Sequence, residues 1–139
     1  MTAYLLDSSA VLAWLFSEKG AETVDPVLTS ATVTTVNLAE IVRRAAQRGY
    51  LRGADELTSD LAAVGMVFVD AVTEDDARRA ASLITASYAE RGVRGTPALS
   101  LGDGICIAVG ERLELPVMTA DTAWKELEAL FRTPVALIR

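Results

Sequence analysis

The chain has 139 residues, 13 basic and 19 acidic side chains, a net charge of −6 and no histidine. The length favours one domain over residues 1–139, able to bury about two thirds of the surface its unfolded chain exposes. The missing histidine excludes Ser-His-Asp and Cys-His catalysis, imidazole acid/base chemistry and every zinc site with a His ligand. The acidic balance disfavours loose binding to a polyanion, so a nucleic-acid substrate would need a metal and local arginines to offset it. No apolar run approaches the ~20 residues of a membrane span. The start, Met1-Thr2-Ala3-Tyr4, lacks the basic region of a signal peptide. With a single Cys106 and therefore no intrachain disulfide, a cytoplasmic protein without a membrane partner is expected.

Tyr4-Leu5-Leu6 is wholly apolar, as a central strand of a parallel sheet is, and it runs into Asp7. Ser8 and Ser9 can hydrogen-bond Asp7 or serve the start of the helix that follows over 10–16, the second being the favoured role. Gly20 interrupts, and another helix is expected from Ala21 to Leu28. The β-branched run Thr32 to Val36 reads as a strand. Asn37 and Glu40 have the spacing of a capping box, which places Glu40 in the first turn of a helix reaching Gly49. Arg43, Arg44, Arg48 and Arg52 form a basic series whose ordinary role is a solvated helix face rather than a nucleic-acid contact.

Residues 53–64 have Leu57, Leu61 and Val64 on one side, the pattern of an amphipathic helix that pairs with its predecessor as a hairpin over the strand ends. Met66 to Val69 is a short strand, and Glu74, Asp75 and Asp76 open a long helix that reaches about Glu90. Residues 92–97 are a loop by composition. An apolar helix over Leu101–Gly110 carries Asp103 at its start, and a strand from Leu115 to Thr119 leads to Asp121. A short helix from Trp124 to Phe131 and a last strand, Val135 to Ile138, complete the order. This alternation predicts an α/β domain with a parallel sheet of about five strands. Cys106, Trp14 and Trp124 read as core residues, the tryptophans alternatively as interface residues.

A strand end and a helix start lie at the same edge of such a sheet, so Asp7, Glu40, Asp103 and Asp121 can share one mouth. Each has a bland explanation as a helix cap: Ser100 precedes Asp103 at capping-box spacing, and Asp7 and Asp121 stand just before helices. Caps do not explain why this edge is acidic while the sheet is apolar. Two unit charges ~5 Å apart at an effective dielectric of ~20 repel by roughly 3 kcal/mol, so a quartet is costly without a cation. Hard oxygen donors without His or paired Cys select Mg2+ or Mn2+. Thr119, two residues before Asp121, points to the same face of an extended segment and can orient water or a carboxylate.

On Leu5-Leu6-Asp7-Ser8-Ser9-Ala10, Asn37-Leu38-Ala39-Glu40-Ile41, Leu101-Gly102-Asp103 and Leu115-Pro116-Val117-Met118-Thr119-Ala120-Asp121, the sequence resembles PIN-domain ribonucleases. It is most similar to toxins of the VapC type from bacterial toxin–antitoxin pairs, over essentially the whole chain and in the family's order. The resemblance implies a three-layer α/β/α sandwich and a metal-dependent endoribonuclease that hydrolyses RNA phosphodiester bonds. It makes Asp7, Glu40, Asp103 and Asp121 the acidic quartet for one or two Mg2+ or Mn2+ ions, with Thr119 as an auxiliary polar residue. It also implies a homodimer and a cognate VapB-type antitoxin, whose apolar face would meet Leu38, Tyr50 and Leu57 on the 38–64 hairpin. Gly102 and Gly104, which flank Asp103, are a departure expected to loosen the turn that holds it.

Two rivals cluster acids around Mg2+ as well. A phosphoacceptor receiver domain needs a lysine near the end of its last strand, and Lys19 and Lys125 both lie off the predicted strands. A haloacid-dehalogenase-type phosphatase needs a second Asp two positions after Asp7, where Ser9 stands. A third alternative, a catalytically idle binding protein on the PIN fold, is weakened by the presence of all four acids, since unpaired buried charge is costly.

Overall fold

The computed structural model describes residues 2–91 and 98–139; the loop expected over 92–97 lies outside them. Five strands form one sheet: β1 (Tyr4–Leu6), β2 (Ala31–Thr34), β3 (Val67–Val69), β4 (Val117–Thr119) and β5 (Val135–Leu137). Their order is β3-β2-β1-β4-β5, and every pairing is parallel. Leu5 pairs with Thr32 on one side and Val117 on the other, which puts β1 at the centre. The order reverses there, between β1 and β4, and such a switch point is where open α/β sheets leave a crevice.

Consecutive side chains of a strand point to opposite faces, and β1 shows it. Leu6 joins a core with Val11, Val33, Ile41, Leu57, Leu61 and Met118, whereas Leu5 joins a second core with Leu83, Ile107, Val117, Trp124 and Val135. The first core lies under α1 (Ser8–Leu15), α2 (Ala21–Val24), α3 (Thr35–Gln47) and α4 (Ala54–Ala63). The second lies under α5 (Glu74–Arg91), α6 (Leu101–Leu113) and α7 (Thr122–Glu126). The result is the expected three-layer α/β/α sandwich. Cys106 and Trp124 are fully buried, while Trp14 is half-buried and donates its indole N–H to Asp25 at 3.0 Å.

Several boundaries differ from the sequence expectation. The helix expected over 21–28 is only α2, followed by a 3-10 turn over Asp25–Ser30, because Pro26 lacks the N–H that an α-helix would use. The helix expected over 124–131 is α7 plus a 3-10 turn, Glu128–Leu130. The strand expected to reach Val36 stops at Thr34, which caps α3 by accepting from the Asn37 N–H at 3.0 Å. Asn37 is therefore not the cap, and Glu40 lies in the second turn rather than the first.

The helix with Asp103 continues to Leu113. Gly104 does not loosen it. A Cβ there would stand 2.9 Å from Ile84 and 3.2 Å from the Ala80 carbonyl, so the absent side chain lets α6 press against α5. Leu57 is 2% exposed in the first core, and Leu38 and Tyr50 pack against the same core, half-buried. The apolar partner contact expected at these three residues is corrected accordingly: Leu57 faces the chain's own interior.

Candidate active site

Asp7 follows β1, and its N–H donates to the Met118 carbonyl of β4 at 2.9 Å, which places its side chain at the switch point. It stands at the N-cap of α1, yet its carboxylate makes no capping bond. Instead Oδ2 accepts from Ser9 Oγ at 2.7 Å and Thr119 Oγ1 at 2.9 Å, and Oδ1 accepts from Asn37 Nδ2 at 3.1 Å. The cap explanation thus fails for Asp7. Burial pushes its carboxyl above the usual range, the Ser9 and Thr119 hydrogen bonds oppose that rise, and the charge of Glu40 adds to it.

Thr119 works in two directions, donating to Asp7 and accepting from the Asp121 N–H at 3.1 Å. It is fully buried, so it ties the ends of β1 and β4 together beneath the acids. Ser9 Oγ likewise accepts from the Ala120 N–H at 3.0 Å. Ser8 Oγ donates to Glu40 Oε1 across the gap between α1 and α3. The two serines hold the acids in place, contrary to the helix-start role favoured from sequence.

Asp103 and Asp121 combine the cap with a free oxygen. Asp103 and Ser100 form a full capping box, with Ser100 N–H to Asp103 Oδ2 at 2.9 Å and Asp103 N–H to Ser100 Oγ at 3.1 Å. Asp121 Oδ1 caps α7 by accepting from the Ala123 N–H at 2.9 Å. Among the described residues the second oxygen of each has no hydrogen-bond donor, so capping fixes the carboxylate and leaves a lone pair to offer. Burial raises the Asp103 carboxyl to about 7, the charge of Asp7 adds to the rise, and the Ser100 bonds resist it.

Asp7, Glu40, Asp103 and Asp121 line one cavity of about 220 Å³ with Ser8, Ser9, Ser100 and Arg44. As they stand, no three acids among the described residues are gathered tightly enough to ligate one ion. The donor set nevertheless fits a hard divalent cation: it is all oxygen, and the Asp7 and Asp103 carboxyls, raised first by burial and further by the charge of a neighbouring acid, crowd negative charge that a cation would relieve. A larger cleft, about 460 Å³, lies at the far end of α6. Its charges are largely paired internally, Arg79 with Glu111 at 2.7 Å and Arg112 with Asp76 at 3.0 Å, so the chemistry belongs to the smaller cavity.

Asn37 is the residue sequence reasoning misread, as a cap. Its place one turn before Glu40, on the same face of a helix beside an acidic strand end, was the signal that could have found it.

The sequence profile of the PIN domain matches residues 4–130. No curated protein matches the chain. Among solved structures, DNA-bound VapBC from Salmonella typhimurium is similar with a TM-score of 0.66 at 15% identity, covering 100% of both chains. VapBC2 from Rickettsia felis bound to a promoter DNA fragment gives 0.66 at 10% identity over 98% of each chain. VapBC-1 from nontypeable Haemophilus influenzae gives 0.66 at 12% identity, covering 99% of this chain and 98% of that one. At these identities the structures speak for the fold, and it is the profile match, over strands and helices that carry all four acids, that decides membership: the chain belongs to the PIN domain family.

Proposed function

We propose that the protein is a divalent-metal-dependent endoribonuclease, the toxin of a VapBC-like toxin–antitoxin pair. The observation that carries this reading is the convergence of Asp7, Glu40, Asp103 and Asp121, from four separate elements, on one cavity at the switch point of a PIN-domain sheet. Asp7, Asp103 and Asp121 would hold the Mg2+ or Mn2+, with Glu40 binding directly or through water. When bound, such a cation supplies Lewis acidity at a phosphodiester and activates water for attack.

The chain's own residues do the positioning. Asn37, Ser9 and Thr119 donate to Asp7 and orient it, while Ser8 donates to Glu40 and orients it. Ser100 fixes Asp103 at the start of α6. Without a cation the four carboxylates repel an RNA backbone, so cleavage should depend absolutely on the metal. A VapB-type antitoxin belongs to this reading by analogy with the VapBC structures of similar fold, and a homodimer belongs to it through the family resemblance of the sequence alone.

Incubating purified protein with a structured RNA pool tests it, with Mg2+ or Mn2+, with EDTA, and with Asp7→Asn beside the parent. Cutting that needs the metal and falls by at least about 100-fold in the variant supports the nuclease. Metal-independent cutting, or equal inactivity of parent and variant, overturns it.

A further inference from the structure

We propose that Arg44 is a substrate-binding residue that grips a phosphate of the RNA backbone at the mouth of the acidic cavity, an inference resting on the ribonuclease reading above. Among the described residues it is the only cationic side chain lining that cavity. It sits one helical turn after Glu40, with Nη2 3.6 Å from Glu40 Oε2. That separation is beyond hydrogen-bonding range, and exposed pairs at this spacing are weak. No hydrogen bond from the Arg44 side chain to any described residue accompanies it, and 49% of the side chain is exposed.

Two neighbouring arginines, by contrast, are committed. Arg48 donates to Glu18 at 2.9 Å and stacks over the Phe16 ring at 3.9 Å, and Arg52 makes two bonds to Asp60. Among the described residues Arg44 alone lines the acidic cavity with a planar fork of donors that makes no hydrogen bond. A guanidinium matches two oxygens of a phosphate at once. In a chain of net charge −6, a polyanion that approaches four carboxylates needs such a contact even after a metal has neutralised part of them. Glu40 holds Arg44 in place loosely, so transfer of the guanidinium from carboxylate to phosphate costs little.

The test measures RNA binding by the full chain with Ca2+ in place of Mg2+, over a salt series, alongside steady-state cleavage with Mg2+. Arg44→Ala should weaken RNA binding at least about tenfold and reduce the slope of log affinity against log salt by about one. KM should rise more than kcat falls. Arg44→Lys should recover part of the affinity, because it keeps the charge and loses the fork. Arg78→Ala, which removes the same charge from the start of α5, should stay within about twofold of the parent. Calorimetry with Mg2+ alone should show affinity unchanged or tighter in Arg44→Ala, since a cation beside Glu40 has been removed. RNA affinity and salt slope equal to the parent's in Arg44→Ala, or an equal loss in Arg78→Ala, would overturn the assignment while leaving the nuclease intact. A parent that neither binds nor cuts RNA overturns the nuclease reading, and this inference with it.

Discussion

Asn37 donates its side-chain amide to Asp7 Oδ1 at 3.1 Å across 30 residues of sequence, and both are buried. The bond joins the first turn of α3 to the end of β1, and it orients the oxygen that Ser9 and Thr119 do not touch.

Replacing Asn37 by Ala removes this donor from a buried carboxylate. Divalent-cation binding should weaken by about 10–100-fold, the usual effect of losing a partner that orients a ligand. Stability should fall by about 1–3 kcal/mol. Calorimetric titration with Mn2+ and a urea unfolding curve measure the two effects separately.

The Asp103 carboxyl, at about 7 when folded against 3.8 ordinarily, binds its proton more tightly in the folded protein than in the unfolded chain. Between those values stability therefore rises as pH falls and is lost as pH climbs through about 7; Asp7, also shifted upward, acts in the same direction. Metal-free protein should melt at a higher temperature near pH 5 than near pH 8, and Asp103→Asn should shrink that difference. Saturating Mg2+ should stabilise the protein most at the higher pH, where the acids are ionised. Scanning calorimetry at several pH values, with EDTA and with Mg2+, checks all three.

Gly104→Ala puts a methyl group 2.9 Å from Ile84 and 3.2 Å from the backbone oxygen of Ala80. The expected loss is about 1–3 kcal/mol from overpacking. Because Gly104 adjoins Asp103, metal affinity should fall with it. A thermal melt and a Mn2+ titration of one protein sample test whether the two losses travel together.

Arg79 makes a two-pronged bond to Glu111 at 2.7 and 3.1 Å and reaches the Leu130 carbonyl at 3.0 Å. The Glu111 side chain is 6% exposed, so Arg79→Ala leaves a buried carboxylate without its counter-charge, held only by the Arg132 N–H at 2.8 Å, and should cost about 3 kcal/mol. Metal affinity of the remaining folded protein should be unchanged, since this pair lies outside the acidic cavity. Stability by chemical denaturation and affinity by metal titration should therefore diverge for this variant and fall in parallel for Gly104→Ala.

Much of this was legible in the chain. Leu5 and Leu6 announced a strand buried on both faces, and the acids at strand ends and helix starts announced the edge where they meet, because both patterns are local. Thr119 was legible through two-residue periodicity. What escaped was what depends on partners distant in sequence. Asn37 and Glu40 fit a capping box by spacing alone, and only the end of β2 at Thr34 shows that the helix starts earlier and that both side chains are free to face Asp7 and Ser8. Gly104 read as slack for the same reason, since its meaning lies in Ile84 on another helix. Leu57 has the spacing of any amphipathic face, and spacing does not say whether that face meets the chain's own core or a visitor.

The central position of β1 also sets a clock on the molecule. The strand that leads into Asp7 is translated before its neighbour β4, and the Thr119 hydroxyl that donates to Asp7 arrives 112 residues later. At synthesis rates of about 5–20 residues per second, that is a delay of roughly 6 to 20 seconds, before a slow parallel pairing even begins. A ribosome halted before Val117 carries three of the four acids without the strand that brings them together. Until β4 has been made, β1 has only one of its two strand neighbours and Asp7 lacks the Thr119 hydroxyl, so the acidic cavity cannot yet be complete.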